Sequence, residues 1–179
     1  MRETVGVYPG TFDPPTVAHV AIAEAAVQQA GLDRLDLAVS ESPLGKSDSA
    51  VAPLATRVRL LEAIVETRPS LNVVVNRGGL ISDIVAGYDA VVVGADKWHQ
   101  VVDPAWYQGS VAARDEAVRR LPRVLLAPRD GFVPEGLPPD AVVLDLPSEH
   151  GSVSSTGARE GRMEWLASEI HRLWRPPSR

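Results

Sequence analysis

Thr16 and His19 stand three residues apart at the head of an Ala-rich segment, directly after Pro9-Gly10-Thr11-Phe12-Asp13-Pro14-Pro15. On the first turn of a helix that spacing puts both side chains on one face. Exposed N–H groups and the positive end of the helix favour an anion there, and an imidazole with a hydroxyl adds donors that can converge on one phosphate oxygen. Gly10 lets backbone come close to a ligand, and the prolines stiffen the approach. The same residues also suit an architectural role, an N-capping threonine beside a partly buried histidine.

A second cluster, Ser152-Val153-Ser154-Ser155-Thr156-Gly157-Ala158-Arg159, gathers hydroxyls and an arginine just before or at a helix start. Amides, Ser and Thr hydroxyls and a guanidinium one turn inside can together hold phosphate oxygens. Such runs also cap helices or form loops. Ser40-Glu41-Ser42-Pro43-Leu44-Gly45-Lys46-Ser47 ends like a phosphate-binding P-loop, but Ser40 replaces the first glycine and Pro53 delays the next helix, so a Walker-type cradle is excluded. Lys46 reads instead as a basic residue on a loop. Arg57 and Arg59 follow on the next helix, where one can reach an acceptor or both can form a solvated face. His99, His150 and His171 are too scattered for zinc, no Gly-x-Ser-x-Gly elbow occurs, and Gly78-Gly79 lacks the rest of a dinucleotide fingerprint.

These residues need a scaffold that brings distant loops together. Strands are expected at Thr4–Tyr8, Leu35–Ser40, Leu71–Val75, Ala90–Val93, Val124–Ala127 and Val142–Leu146, alternating with helices at Thr16–Ala30, Leu54–Glu66, Gly109–Arg120 and Met163–Trp174. Gly31 stops the first helix where a left-handed residue costs least. Leu166, Ile170, Leu173 and Trp174 fall at helical spacing on the last. Continuous apolar strands imply burial on both faces, hence an α/β fold: a doubly wound, Rossmann-like parallel sheet with helices on both faces, one domain over residues 1–179. Such sheets bind ligands at the carboxyl ends of their strands, which points to the loops after Tyr8, Ser40, Val75 and Val93.

The chain has 179 residues, 45% hydrophobic and 23% charged, with no cysteine and a net charge of -5 from 18 basic and 23 acidic residues. Disorder and disulfides are excluded, and nucleic acid is not an expected partner. Without a long apolar run or signal-like start, a cytoplasmic location away from membranes is expected. Oligomeric state is open, and a homo-oligomer is allowed.

The two clusters resemble the nucleotidyltransferase superfamily that carries an [His/Thr]-x-Gly-His motif and a Ser-Ser-Thr-x-x-Arg motif. Gly10-Thr11-Phe12-Asp13-Pro14 and Ser154-Ser155-Thr156 are the specific parts, and Gly94-Ala95-Asp96, Trp106-Tyr107 and Arg129-Asp130-Gly131 make the chain most similar to bacterial nicotinate-mononucleotide adenylyltransferases. Thr16, in place of a first histidine, is similar to phosphopantetheine adenylyltransferase, as is the Gly79-Leu80 stretch with a following Asp83. Ala18 stands where both families have glycine and adds a methyl group beside the adenine and ribose.

The resemblance implies that an acceptor phosphate attacks the α-phosphorus of ATP in line and expels pyrophosphate. His19 and Thr16 would act at the α-phosphate with Lys46 reaching from its loop. Gly10, Thr11, Phe12, Ala18, Gly94 and Asp96 would surround the nucleotide, and Ser154, Ser155, Thr156 and Arg159 would hold the leaving phosphates, shielded by magnesium. Trp106, with Trp98 as the alternative, would stack on the acceptor, and Arg57 and Arg129 would bind it. Nicotinate or nicotinamide mononucleotide is the leading acceptor. Phosphopantetheine, cytidylyl transfer from CTP and a nucleotide-binding module without turnover are the alternatives.

Overall fold

Why the apolar runs are continuous is clear from how they alternate. Along the fourth strand, Ala90 and Val92 join a core on one face of the sheet while Val91 and Val93 join a core on the other; Leu125 and Ala127 are split from Val124 and Leu126 in the same way on the fifth. Successive strand residues point to opposite faces, so a strand covered on both sides must be apolar throughout. The computed structural model describes residues 2–43, 51–77 and 79–176. Its strands are β1 (Val5–Gly10), β2 (Arg34–Ser40), β3 (Leu71–Asn76), β4 (Ala90–Gly94), β5 (Arg123–Ala127) and β6 (Val142–Val143). They form one parallel sheet in the order β3-β2-β1-β4-β5-β6. The order reverses between β1 and β4, and a crevice opens at the carboxyl ends of such a pair. The fold is the Rossmann-like α/β architecture expected from the sequence.

Helix α1 (Val17–Ala30) lies close to the sheet because its inward residues Ala18, Ala23 and Ala26 are small. It ends at Gly31 with φ 65°, where the left-handed conformation costs glycine nothing. Helix α2 (Leu54–Val65) covers the same face with Leu60, Leu61 and Ile64. The opposite face is covered by α4 (Ala95–Val102), whose Ala95, Trp98 and Val101 are buried, with help from Val118 of α5 (Val111–Arg119) and from Ile81 and Ile84 of the short α3 (Ile81–Ile84). One carboxylate, Asp36, is buried mid-sheet, and it accepts from Arg34 Nε, Asn72 Nδ2 and the Tyr88 hydroxyl, each at 3.0 Å. Burial, followed by this contact, pushes the Tyr88 phenol up to about 12.

Three expectations need correction. The stretch after Val93 is helix α4 rather than a loop: Ala95, Trp98 and Val101 recur every third residue, and the strand runs into it without a polar break to announce it. The edge strand is shorter than Val142–Leu146, since pairing with β5 extends over Val142 and Val143 alone. Met163–Trp174 is not a helix: 3-10 turns at Met163–Trp165 and Ser168–Ile170 flank extended Leu166 and Ala167. Here tertiary hydrogen bonding outcompetes periodicity, because Leu166 bridges antiparallel to Thr16 and the Ala167 amide donates to the Pro15 carbonyl at 3.3 Å. Leu166, Ile170 and Trp174 are still buried, while Leu173 faces solvent.

Leu166 is fully buried at this junction. Leu166→Ala is expected to cost about 2–5 kcal/mol in denaturant unfolding, the range for a truncated core leucine. A loss within about 0.5 kcal/mol, as at an indifferent surface position, would show that the segment does not anchor the fold.

Candidate active site

The first loop is shaped around an aromatic wedge. Phe12 is buried with φ 49°, and its ring meets Tyr8 edge-on at 5.5 Å between centroids and His19 at 5.1 Å. A side chain at residue 10 would put its Cβ 2.7 Å from the Phe12 ring, so only glycine fits. The Asp13–Pro14 peptide is cis. The loop delivers the chain to Thr16, the N-cap of α1, in extended conformation.

Thr16 and His19 bond each other reciprocally. The Thr16 amide donates to His19 Nδ1 at 3.0 Å, Thr16 Oγ1 lies 2.8 Å from the same nitrogen, and the His19 amide donates back to Oγ1 at 3.4 Å. This is a capping box with histidine in the place usually taken by Glu or Gln. A backbone N–H can only donate, so Nδ1 is the acceptor and the proton of the neutral ring sits on Nε2. The expectation that hydroxyl and imidazole converge on one oxygen is thereby revised: the Thr16 side chain is buried against the ring and orients it.

The second cluster forms α6 (Ser155–Arg159), capped by Ser154, whose Oγ accepts from the Gly157 amide at 3.1 Å. Gly157 must lack a side chain, because a Cβ there would lie 2.3 Å from the Trp165 ring. The two loops are joined directly. Arg159 donates to the Asp13 carbonyl and lies 3.7 Å from the Asp13 carboxylate, and the Ser155 hydroxyl donates to the Pro14 carbonyl at 2.8 Å. With its one O–H committed, Ser155 is a latch between loops and has no donor to offer a phosphate, contrary to expectation. Ser154 and Thr156 accept in their hydrogen bonds, from the Gly157 amide and from Arg159, and so keep an O–H to give.

Both clusters open on one cleft of about 420 Å³ at the carboxyl ends of β1 and β4. Gly10, Thr11, Phe12, Thr16, Ala18, His19, Gly94, Asp96, Trp106, Arg129, Ser154, Ser155, Thr156 and Arg159 all border it. Lys46 lies outside the described residues. Trp98 is wholly buried and donates to the Glu135 carbonyl at 2.8 Å, which removes it as a stacking platform. Arg129 donates to the Val153 carbonyl at 2.5 Å and faces Asp96 at 3.9 Å.

Arg57 is neither an acceptor contact nor part of a solvated face. It is 2% exposed and donates to the carbonyls of Ala52, Thr11 and Ser40 at 2.9, 3.1 and 2.8 Å. Burial pulls the guanidinium below its ordinary range, and Asp13 opposes that pull. Sequence reasoning missed the polar side chains of Tyr8, Lys97 and Gln100 on the cleft. Burial pushes the Tyr8 phenol well above its usual value, with Arg129 opposing. Burial lowers the Lys97 ammonium, with Asp96 opposing. The available signal for Tyr8 was its place near the end of β1; for Lys97 and Gln100 it was recognition of α4 as a helix.

Residues 7–161 match the family model described as cytidylyltransferase-like. The chain belongs to that family. Among curated members to which this cytidylyltransferase-like chain is similar, a probable nicotinate-nucleotide adenylyltransferase of Listeria innocua is 37% identical over 73 residues, covering 41% of this chain and 39% of the relative. One of the same description from Mesorhizobium japonicum is 32% identical over 112 residues, 63% of this chain and 55% of the relative. The chain thus spans between about two fifths and just over half of these relatives. Among solved structures, the nicotinic acid mononucleotide adenylyltransferase of Plasmodium falciparum, complexed with APC or with NaAD, superimposes with a TM-score of 0.62 over 89% of this chain and 83% of that one, at 13% and 14% identity. That likeness is one of fold.

Arg57→Ala is expected to leave three loop carbonyls without their donor and to cost about 3 kcal/mol in thermal or denaturant unfolding. Unchanged stability with a raised KM for the acceptor alone would return Arg57 to the role first expected of it.

Proposed function

We propose that the chain is an adenylyltransferase that joins the AMP part of ATP to the phosphate of nicotinate mononucleotide and releases pyrophosphate. The observation that carries this reading is the sharing of one cleft by the oriented His19 imidazole, the Ser154–Arg159 turn and the wall bearing Trp106 and Tyr107. The names of the curated relatives support the acceptor.

A phosphate monoester is already anionic near neutrality, so attack needs no strong base. In the proposed step an acceptor oxygen bonds to the α-phosphorus of ATP opposite the oxygen bridging to the β-phosphorus. That bridge breaks and its electron pair leaves with pyrophosphate. Nε2–H of His19 donates to an α-phosphate oxygen where charge builds, and a donor already locked in place avoids reorganisation as the five-coordinate geometry forms. Thr16 acts through His19. Ser154, Thr156 and Arg159 hold the departing phosphates, with Thr11 contacting the phosphate chain from the first loop; Lys46, a further cation that the family resemblance implies, lies outside the described residues. Asp96 accepts from a ribose hydroxyl, and Trp106 stacks on the acceptor ring. Magnesium, which the family resemblance implies with ATP, would supply charge neutralisation on the departing pyrophosphate beside Ser154, Thr156 and Arg159.

Pyrophosphate release, measured with ATP or CTP against nicotinate mononucleotide, nicotinamide mononucleotide and phosphopantetheine, tests the reading. Release is expected with ATP and nicotinate mononucleotide. ATP binding by calorimetry with no release for any acceptor would make the chain a nucleotide-binding module. His19→Ala is expected to lower kcat by about 100- to 1000-fold, the effect of losing one positioned donor, with little change in ATP affinity. Thr16→Val keeps the amide contact to Nδ1 and is expected to lose less. Unaltered turnover in His19→Ala would remove the imidazole from the reaction.

A further inference from the structure

The walls of the cleft rise from opposite faces of the sheet. Ile22 of α1 and Ala158 of α6 belong to one core, so His19 and the Ser154–Arg159 turn are carried by that face. Ala95 and Trp98 of α4 belong to the other core, against which Ile81 and Ile84 also pack. On that side the cleft is bordered by Leu80, Ile81, Ile84, Trp106 and Tyr107, an apolar and aromatic surface suited to a flat ring. Lys97 also borders the cleft on that side.

Four side chains that can bear positive charge border the cleft among the described residues: His19, Lys97, Arg129 and Arg159. His19 is held by Thr16, Arg129 by the Val153 carbonyl beside Asp96, and Arg159 by Asp13 and Thr156. Lys97 differs. Its Nζ donates at 2.7 Å to Gln100 Oε1, a neutral amide one turn on, and it forms no ion pair among the described residues. The neighbouring Asp96 is the acidic group that acts on it, and Lys97 is an exposed residue bordering the cleft. An ammonium has three N–H donors, so two remain beyond the Gln100 contact.

We propose that Lys97 is a specificity-determining residue that binds a carboxylate on the acceptor's ring, with Gln100 holding the ammonium in place, so that an acid is chosen over its carboxamide. The inference rests on the adenylyltransferase reading above and deepens it. The acceptor's phosphate must approach the α-phosphate beside His19 on the first face, which leaves its ring against the second. A carboxylate there meets an ammonium that lacks an anionic partner. A carboxamide offers a neutral oxygen in its place, and a charge-assisted hydrogen bond is the stronger of the two.

The two mononucleotides share ribose and phosphate and differ only in that group, so the ratio of their kcat/KM values isolates it. Measured by pyrophosphate release with ATP, the ratio of nicotinate to nicotinamide mononucleotide is expected to fall by about 10- to 100-fold in Lys97→Gln, the worth of a hydrogen bond to a charged group. Lys97→Arg is expected to keep most of the preference. An unchanged ratio in Lys97→Gln, including an equal fall with both acceptors as a phosphate or packing contact would give, overturns the assignment while leaving the adenylyltransferase reading intact. Wild-type protein that releases pyrophosphate with neither mononucleotide overturns both.

Discussion

One pair of reciprocal hydrogen bonds between Thr16 and His19 serves two purposes at once. It satisfies amides left open at the start of α1, and it holds Nδ1 as an acceptor so that Nε2 carries the ring proton. In most capping boxes the third helical residue is a carboxylate or an amide whose only task is to end a helix. Here the group that ends the helix is also the one capable of hydrogen bonding to a ligand, so stability and orientation cannot be separated. Phe12 completes the support from behind the ring, which is why a backbone conformation that few side chains adopt is retained there.

Around that pair, loops from distant parts of the chain are held by short polar links to backbone. Asp13 is the hub. Its carboxylate accepts from the Ala52 amide and faces Arg159, while its carbonyl accepts from Arg159. Arg57 reaches the carbonyls of Thr11 on the loop after β1, of Ser40 at the end of β2 and of Ala52 shortly before α2. Main-chain atoms are the partners in most of these links. The groups that brace the cleft are therefore largely distinct from those left with donors to offer, so a protein of net negative charge still presents local donors to the cleft.

The outline of the fold was legible because strands buried on both faces cannot hide their composition. β4 announced itself as an apolar run, and Gly31 marked the end of α1. The loops bordering the cleft followed from the parallel order. What stayed hidden was decided by contacts between distant residues. Nothing local distinguishes Ser155 from Ser154, yet one donates to Pro14 and the other caps its own helix. Arg57 looks like any arginine on an amphipathic helix until three carbonyls are found around it. Leu166, Ile170 and Trp174 satisfy a helical spacing and are buried as that spacing demands, but backbone pairing with the first loop imposes an extended bend between them.

That pairing joins positions separated by most of the chain's length, since Leu166 lies against Thr16 and Ala167 against Pro15. Contacts so remote in order close slowly and late. While the polypeptide emerges from the ribosome, the imidazole and its cap are made early, but the strand segment that backs them arrives only after every element of the sheet. The newborn chain therefore holds every strand of its sheet before the Leu166–Ala167 segment can back the first loop.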